Sequence, residues 1–485
     1  MGEAALFATL DVPPAGSAQA LAALPAQVRG LEVRADRVGD VEPAWLRRRF
    51  SGSLLYSLRS RSQGGAFEGS LQERHQRLIA AAGSFDLIEL EGELDLVPEV
   101  LNRIGPAQRL LSWRGSASGL EELHARFEAL CRVEARLYAL TPFVTRAIDA
   151  LAPLRLLKAL GRKDVLAYAV GEAGSWTRVL SPWVGAPVVL GGLVADKARE
   201  GQFTVEQLLR DYSLGQARTV RELFGIVGRG VLRSPSPRMH NMAYQALGLE
   251  ALYLPFYAED FSHFWSDTLL HGLEALGFPL RGLTVTSPHK EAALEIAGSA
   301  SPLARCSGAA NALVRREEGW YAETTDAVGA VAPLGTRGLC LKGLRVAVVG
   351  CGGAGRAAAA GLQQAGALVT LVNRGWERGQ YAARLLGLPF IPLSEFSASS
   401  FALVVNATPC ATSREDAPFL IERLTKGTVI LDFVYGSRST PLVPSAQSQE
   451  HLAIDGQEVL LVEVHRQFQL MTGRQMPSAP VAPLT

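Results

Sequence analysis

Short apolar runs alternate with amphipathic segments along the first 210 residues of the chain. Segments such as SLQERHQRLIAAAG and GLEELHARFEALCRV carry apolar residues at helical spacing. Between them lie eight runs with the length and composition of strands: LFATLDV, GLEVRAD, SLLYSLR, FDLIELE, QRLLSWRG, ARLYALTP, DVLAYAVG and PVVLGGLV. Eight strands separated by helices predict a (β/α)8 barrel over residues 1–210, with an open doubly wound sheet as the alternative.

Two further α/β blocks follow a connector at residues 211–220. The first occupies residues 221–335, and the second occupies residues 336–445, where LRVAVVGCGGAGRAAAAGLQQAGALVTLVNR has the pattern strand, glycine-rich turn, helix, strand. Residues 446–485 carry one helix-like segment, VEVHRQFQLMTG, and a Pro-rich end that we expect to be frayed. The predicted fold class is therefore α/β: a barrel followed by a two-domain protein whose last helix returns to the middle block.

Composition and charge narrow the classes of function. The chain has 485 residues, 48% of them apolar and 20% charged, and a net charge of +1, which indicates full-sized cores but no basic surface for nucleic acid or an anionic membrane. Five scattered cysteines without a CxxC pair predict reduced thiols and no metal site. The N-terminus lacks a secretory pattern, and the apolar stretch 183–195 is too short to span a bilayer. We expect a cytoplasmic protein acting on a small molecule, and the oligomeric state is left open.

The glycine-rich turn of the third block has the sequence context of a nucleotide site. It follows the apolar run RVAVVG and opens an Ala-rich helix, with a second strand about 20 residues on. Glycines allow a tight turn and close approach to a pyrophosphate, which the helix N-terminus then attracts. The predicted cofactor-binding residues of the turn are Gly350, Gly352, Gly353, Ala354 and Gly355.

The end of the next strand favours NADP over NAD. An acidic residue there would bind the 2′-hydroxyl of NAD, whereas an Arg accommodates a 2′-phosphate. The sequence has Asn373 and Arg374 at this point, with Arg378 nearby. The alternative to this interpretation is that Arg374 is an ordinary solvated surface residue and that the glycine turn only allows close packing.

The middle block places hydroxyl, amide, ammonium and carboxylate side chains at strand-to-loop boundaries. Such a set suits a small polyhydroxylated carboxylate, and a Lys beside an Asp is a positioned proton donor for hydride transfer to or from a carbonyl. Taken singly, each residue has another interpretation, such as a turn, a surface lysine or a helix cap. The residues are Ser234, Ser236, Thr286, Lys290, Asn311 and Asp326.

These motifs, in this order, resemble shikimate dehydrogenase over residues 222–473. The matching elements include FGIVG, SPSPRMHN, LTVTSPHK, GAAN, TTD, GCGGAG, NATP and DFVY. The resemblance implies NADP-linked interconversion of 3-dehydroshikimate and shikimate in chorismate and aromatic amino acid biosynthesis. It assigns Ser234 and Ser236 to the substrate carboxylate and Lys290 with Asp326 to catalysis. It also implies further substrate contacts at Thr286, Asn311, Tyr435 and Gln467, and cofactor contacts at Asn406, Ala407 and Thr408.

Four positions depart from the family pattern. Thr284 and Thr324 each stand where Asn is usual, Ala411 replaces a Gly, and Glu463 replaces a Gln in the last helix. A carboxylate near a substrate hydroxyl would change hydrogen bonding and local charge. These changes bear on substrate preference, and a quinate or shikimate dehydrogenase with a ligand-sensing barrel is one alternative.

Residues 1–210 resemble type I 3-dehydroquinate dehydratase. The resemblance implies ligand-binding roles for Glu32, Arg34, Arg59, Arg178 and Gln202. That family uses a Schiff-base Lys with a His and a Glu for proton transfer. Here the corresponding positions hold Leu137, Arg114 and Gln63, and no Lys precedes residue 158. We therefore expect a barrel without dehydratase activity, acting as a ligand-binding module or a scaffold, with a fully bifunctional enzyme as the alternative.

Overall fold

The computed structural model describes residues 4–194, 201–265, 267–408, 419, 424–435 and 441–477. Lys197, Cys410, Ala411 and Thr440 lie outside the described residues, as does most of the Pro-rich end. The chain divides into two compact units. The first comprises residues 1–224 and 248–280, and the second comprises residues 225–247 and 281–485.

All eight strands expected in the first 210 residues are present and parallel. Their order in the sheet is β7-β6-β5-β4-β3-β2-β1-β8, so that β8 returns to pair with β1, as in a nearly closed barrel. This confirms the predicted barrel and excludes the open doubly wound sheet. The strands are β1 (Ala5–Leu10), β2 (Val28–Arg34), β3 (Ser53–Ser57), β4 (Leu87–Glu91), β5 (Arg109–Trp113), β6 (Leu137–Leu140), β7 (Val165–Ala167) and β8 (Val188–Gly192).

Helices connect these strands, and several begin at side-chain caps. Ser70 accepts from the backbone N–H of Glu73 at the start of α4, and Thr204 forms a capping box with Gln207 at the start of α9. The helices are α1 (Pro14–Ala22), α2 (Ala35–Val38), α3 (Pro43–Arg47), α4 (Leu71–Ala81), α5 (Pro98–Leu101), α6 (Leu120–Cys131), α7 (Leu151–Leu160), α8 (Ser175–Val184) and α9 (Val205–Tyr212).

The segment 248–280 belongs to the first unit together with the barrel. It contains β10 (Ala251–Tyr257), α11 (Phe261–Phe264) and α12 (Asp267–Leu276). The Trp176 ring of α8 packs on Phe256 with centroids 5.4 Å apart, and Lys158 Nζ donates to the Ala275 carbonyl at 2.5 Å. These contacts explain why the units divide the chain differently from the predicted domains, whose boundaries stay a prediction.

The middle block contributes a mixed sheet to the second unit. Its strands β9, β11, β13, β14 and β12 are neighbours in that order, with antiparallel pairing of β11 to β13 and of β13 to β14. The strands are β9 (Glu222–Gly228), β11 (Leu280–Val285), β12 (Ser299–Ala300), β13 (Ala312–Arg316) and β14 (Gly319–Glu323). The helices are α10 (Ser236–Ala246), α13 (Lys290–Glu295), α14 (Pro302–Ser307) and α15 (Asp326–Thr336).

The third block forms a parallel sheet of Rossmann type. Its order β17-β16-β15-β18-β19-β20 reverses on either side of β15, which places a ligand crevice at the carboxyl end of that strand. The strands are β15 (Arg345–Val349), β16 (Leu368–Asn373), β17 (Phe390–Pro392), β18 (Leu403–Asn406), β19 (Val429–Asp432) and β20 (Ala453–Ile454). The helices are α16 (Gly353–Gln364), α17 (Trp376–Leu386), α18 (Leu442–Ser448) and α19 (Gly456–Thr472).

The last helix, α19, packs against α15 and α10 of the middle block. Val459, Val464 and Phe468 of this helix are buried. None of the helices in the described part of the chain is both long and apolar enough to cross a membrane.

Candidate functional site

Lys290 and Asp326 form an ion pair at the starts of two helices. Lys290 is the first residue of α13, and its Nζ donates to both carboxylate oxygens of Asp326 at 2.7 and 2.8 Å. Asp326 is the first residue of α15, and its side chain is 2% exposed, against 13% for Lys290. A buried anion thus holds a partly accessible ammonium, which is the arrangement expected of a positioned proton donor.

A buried network of side-chain amides and hydroxyls surrounds the residue before Asp326. Thr325 Oγ1 accepts from Asn311 Nδ2 at 2.9 Å and from Gln467 Nε2 at 3.0 Å. The Thr284 hydroxyl donates to Gln467 Oε1 at 3.1 Å. Asn311 and Gln467, which the resemblance places in the substrate pocket, therefore also tie α15 and α19 to the mixed sheet.

Ser234 and Ser236 lie at the N-terminus of α10. The backbone N–H of Ser236 donates to Ser234 Oγ at 3.2 Å, and Ser236 is 1% exposed. The backbone N–H of Thr286 donates to the Val227 carbonyl at 3.0 Å, which holds the segment leading to Lys290 beside the end of β9. A helix N-terminus with hydroxyls is a suitable site for a carboxylate.

The glycine turn fits a dinucleotide pyrophosphate. Gly350 has φ +106°, and a Cβ at Gly355 would lie 1.8 Å from the Gly350 carbonyl oxygen, so both positions require glycine. Nothing lies within 4 Å of the Cβ direction of Gly352, and α16 begins at the next residue. The turn therefore presents bare backbone and a helix N-terminus to open space.

The same turn lies directly against Lys290. A Cβ at Gly353 would be 3.1 Å from Lys290 Cβ and 3.1 Å from Ala309 Cβ. The Lys290–Asp326 pair and the nucleotide turn are thus parts of a single site.

Arg356 fixes this arrangement, and sequence analysis missed it. Its guanidinium is fully buried and donates to the Ser307 carbonyl at 2.7 Å, the Cys351 carbonyl at 3.2 Å and Glu291 Oε1 at 2.8 Å. These bonds connect the glycine turn, the end of α14 and the residue after Lys290. The available signal was a single charged residue inside the otherwise apolar run GAGRAAAAGL.

Three predicted cofactor residues lie at or just after the end of β16, and they differ in the contacts that they make within the protein. Asn373 Oδ1 accepts from the Cys351 N–H at 3.1 Å and so braces the glycine turn. Arg378 pairs with Glu291 at 3.3 Å. Arg374 is exposed and makes no ion pair with any described residue, so its guanidinium is available to a phosphate.

Asn406 and Thr408 brace the other side of the turn. Asn406 Nδ2 donates to the buried Asp432 at 2.9 Å, while its Oδ1 accepts from the Thr408 hydroxyl at 2.7 Å. The Ala407 carbonyl lies 2.8 Å from the Cβ position of Gly350. Asp432 is a structural partner that the sequence analysis did not single out.

Glu463 and Tyr435 lie beside the ion pair. Burial, followed by the charge of Asp326, raises the pKa of the Glu463 carboxyl well above its ordinary value. Desolvation, followed by the charges of Glu463 and Asp326, raises the pKa of the Tyr435 hydroxyl, although the residue is 37% exposed overall.

His240 has its pKa lowered to about 3 by burial and by His465, so it stays neutral, as expected of a packing residue.

The barrel contains a cavity of about 920 Å³ at the carboxyl ends of its strands. Tyr257, the last residue of β10, and Glu259, two residues later, also line it. The described residues contain no cluster of three His, Cys, Asp or Glu side chains that could hold a metal. All five residues predicted to bind a barrel ligand line the cavity: Glu32, Arg34, Arg59, Arg178 and Gln202.

The comparisons with known proteins assign both halves. Residues 226–313 match the profile of the shikimate dehydrogenase substrate binding domain. A shikimate dehydrogenase (NADP(+)) from Anaeromyxobacter sp. (strain Fw109-5) is 35% identical over 274 residues, which are 54% of this chain and 94% of the relative. This chain belongs to the shikimate dehydrogenase family. Residues 16–219 match the profile of type I 3-dehydroquinase, which confirms the predicted resemblance of the barrel.

Two further relatives match this chain, one over most of its length and one over about half of it. A bifunctional 3-dehydroquinate dehydratase/shikimate dehydrogenase of Arabidopsis thaliana, named chloroplastic, is 26% identical over 458 residues, covering 87% of this chain and 73% of the relative. A shikimate 5-dehydrogenase from Thermus thermophilus, solved in complex with NADP(H) and shikimate, is 31% identical over 53% of this chain and 95% of that chain, with a TM-score of 0.47.

Three positions of the barrel correspond to the catalytic Glu, His and Lys of the dehydratase family but hold other side chains. Gln63 and Arg114 line the cavity. Leu137 does not line it, whereas Thr141, just after the same strand, does. None of the described residues that line the cavity is a lysine.

Proposed function

We propose that the protein is an NADP-dependent shikimate dehydrogenase that reversibly reduces 3-dehydroshikimate to shikimate. The observation that carries this proposal is the bidentate Lys290–Asp326 pair packed against the glycine turn, with a Cβ at Gly353 reaching within 3.1 Å of Lys290 Cβ. The NADP(+) relatives and the exposed Arg374 support the choice of cofactor. A cytoplasmic location and an exclusively small-molecule partner are part of the proposal.

The proposed mechanism assigns one task to each group. NADPH supplies the hydride that reduces the substrate carbonyl. Lys290 donates a proton to the oxygen of that carbonyl, and Asp326 holds the ammonium in place through both of its oxygens. Ser234 and Ser236 bind the substrate carboxylate at the N-terminus of α10. The amides of Asn311 and Gln467, fixed by Thr325, orient the ring hydroxyls.

The test follows NADPH consumption by the full-length protein. We expect oxidation of NADPH with 3-dehydroshikimate and none with 3-dehydroquinate alone. No oxidation with 3-dehydroshikimate would refute the proposal. The reverse reaction with shikimate and with quinate measures the preference between them through kcat/KM, and we expect shikimate to be preferred.

We further propose that the barrel binds a small carboxylate without dehydrating it. Two of its interior arginines are already paired with carboxylates: Arg59 lies 3.0 Å from Glu32, and Arg114 contacts Glu89. Burial alone would raise the pKa of Glu89, but Arg114 and Arg59 outweigh it and keep that pKa below its usual range. A carboxylate whose pKa is held this low is a poor base for proton abstraction, and the described cavity lining contains neither lysine nor histidine.

Arg178 is the cavity cation best suited to hold the carboxylate. It is 7% exposed, donates to the Leu190 carbonyl at 2.7 Å, and lies 4.6 Å from the centre of the Tyr168 ring, with no carboxylate paired to it among the described residues. Its Nε, the Gln63 amide and the Thr141 hydroxyl are buried without a protein partner. Buried polar atoms of this kind indicate a polar ligand.

Calorimetric titration of the full-length protein with 3-dehydroquinate tests this second proposal. We expect binding that weakens at least about tenfold in Arg178→Ala, the cost of one charge-assisted contact. Arg210→Ala, which removes an exposed arginine of α9, is the control and should bind as the wild type does. Appearance of the conjugated enone product, or a borohydride-trapped adduct on the chain, would show that the barrel is catalytic.

A further inference from the structure

The Glu463 carboxyl occupies a position that the proposed mechanism does not use. It projects from α19, is 8% exposed, and makes no ion pair with any described residue. A Cβ at Gly329, three residues after Asp326 on α15, would lie 2.9 Å from both Cγ and Oε1 of Glu463. The carboxyl is therefore packed against the backbone of the helix that begins with Asp326.

A buried carboxyl without a cationic partner of its own is more stable with its proton than ionised. Both oxygens of Asp326 already accept from the Lys290 ammonium, so that ammonium stabilises the charge of Asp326. We therefore place a proton on Glu463, whose pKa is raised by burial and by the charge of Asp326.

The remaining charged and titratable groups around Glu463 do not change this assignment. Lys290 favours the ionised form but is engaged by Asp326. Tyr435, after β19, is a neutral phenol whose own pKa is raised. His240 of α10 and His465 of α19 have lowered pKa values, caused chiefly by burial, and carry no charge near neutral pH.

We propose that Glu463 works as a neutral carboxylic acid that positions the Lys290–Asp326 pair, and that its ionisation sets the alkaline limit of turnover. This inference rests on the proposed dehydrogenase function. With Glu463 neutral, the three groups carry no net charge. Ionisation would add a second negative charge beside Asp326, hold the proton more tightly on Lys290 and repel Asp326.

A neutral carboxylic acid and a carboxamide each offer one acceptor oxygen and at least one donor hydrogen at nearly the same positions. Glu463→Gln should therefore reproduce the working state and remove the titration. The matched control is Glu458→Gln, which makes the same change on the same helix at an exposed pair with Arg337.

The first test is the pH profile of kcat/KM for reduction of 3-dehydroshikimate. We expect Glu463→Gln to stay within about threefold of the wild type at neutral pH, and its alkaline decline to move up by about one pH unit or more. Glu458→Gln should follow the wild-type profile. An unchanged alkaline decline in Glu463→Gln, or a loss greater than about tenfold at neutral pH, would overturn the proposal.

A second test does not depend on turnover. Because the folded pKa of Glu463 exceeds its unfolded value, its stabilising contribution is complete below the ordinary carboxyl range and is lost as the pH rises toward the folded pKa. The melting temperature of Glu463→Gln relative to wild type should therefore rise from about pH 4 to about pH 8, and that of Glu458→Gln should not.

The two tests separate two kinds of failure. If the melting temperatures differ as expected but the protein does not turn over 3-dehydroshikimate, Glu463 is still protonated and the proposed substrate is refuted. If the protein turns over 3-dehydroshikimate but the expected difference in melting temperature is absent, the proposal that Glu463 is neutral is refuted.

Discussion

Thr325→Val removes the hydroxyl at the centre of the network that connects the mixed sheet, α15 and α19. In the wild type, Thr325 Oγ1 accepts from Asn311 Nδ2 at 2.9 Å and from Gln467 Nε2 at 3.0 Å. Valine has nearly the same shape, so the substitution leaves no cavity. The backbone N–H of residue 325 keeps its bond to Asn311 Oδ1, at 2.7 Å.

The expected cost follows from the burial of the two donors. Asn311 is 2% exposed and Gln467 is 1% exposed, so neither amide recovers its lost bond from water without moving. An unsatisfied buried polar group costs about 1–3 kcal/mol, which gives about 2–6 kcal/mol for the two amides together. For a unit of about 200 residues, the lower figure corresponds to a fall in melting temperature of roughly 4 °C.

Calorimetry and steady-state kinetics on the full-length protein measure both consequences. We expect a lower melting temperature and a KM for 3-dehydroshikimate raised about fivefold or more, since the two amides that we propose to contact the substrate lose their orientation. The affinity for NADPH should not change. Thr336→Val, an exposed position on the same helix, is the control. A shift below about 1 °C with an unchanged KM would refute the argument from burial.

Three further predictions concern the nucleotide turn and the ion pair. Gly355→Ala should abolish NADPH binding, measured by fluorescence titration, because the new Cβ would lie 1.8 Å from the Gly350 carbonyl oxygen. The control is Gly335→Ala on α15, which should bind NADPH normally because its Cβ meets open space. Lys290→Met should lower kcat at least about a hundredfold while the dissociation constant of NADPH, measured in the same way, stays within about twofold of the wild-type value. Arg374→Ala should weaken NADPH about tenfold but leave NADH unaffected, and equal losses for both would place the 2′-phosphate elsewhere.

The elements of the fold were predictable because their signals are local. A parallel strand buried on both faces appears as a continuous apolar run, and β3 and β4 show this burial along nearly their whole length. The glycine turn was likewise predictable, since strand, turn and helix are adjacent in the sequence. Boundaries were less accurate, as FDLIELE shows: the run begins at residue 85, whereas β4 begins at Leu87.

The support of the site was not predictable from local pattern. Thr325 and Gln467 are separated by 142 positions, and Arg356 and Ser307 by 49, yet each pair is joined by a hydrogen bond. No periodicity links such residues, because their contact depends on how whole elements pack. The resemblance to a family supplied the residue types at the site but not the groups that hold them, such as Arg356 and Asp432.

The proposal that the barrel binds a ligand without dehydrating it rests on the side chains that occupy its interior. An arginine at position 114 places a second guanidinium beside Glu89, and the interior carboxylates Glu32 and Glu89 then balance Arg59 and Arg114. The described cavity lining contains no lysine that could act as an amine nucleophile and no histidine that could act as a neutral base. Arg178 makes no ion pair with a described carboxylate, and it is therefore the cavity cation that we propose to bind the ligand. An anion-binding arginine with neither a lysine nor a histidine in the described lining favours binding of a ligand over its turnover, and for this reason we propose catalysis at Lys290 and only binding in the barrel.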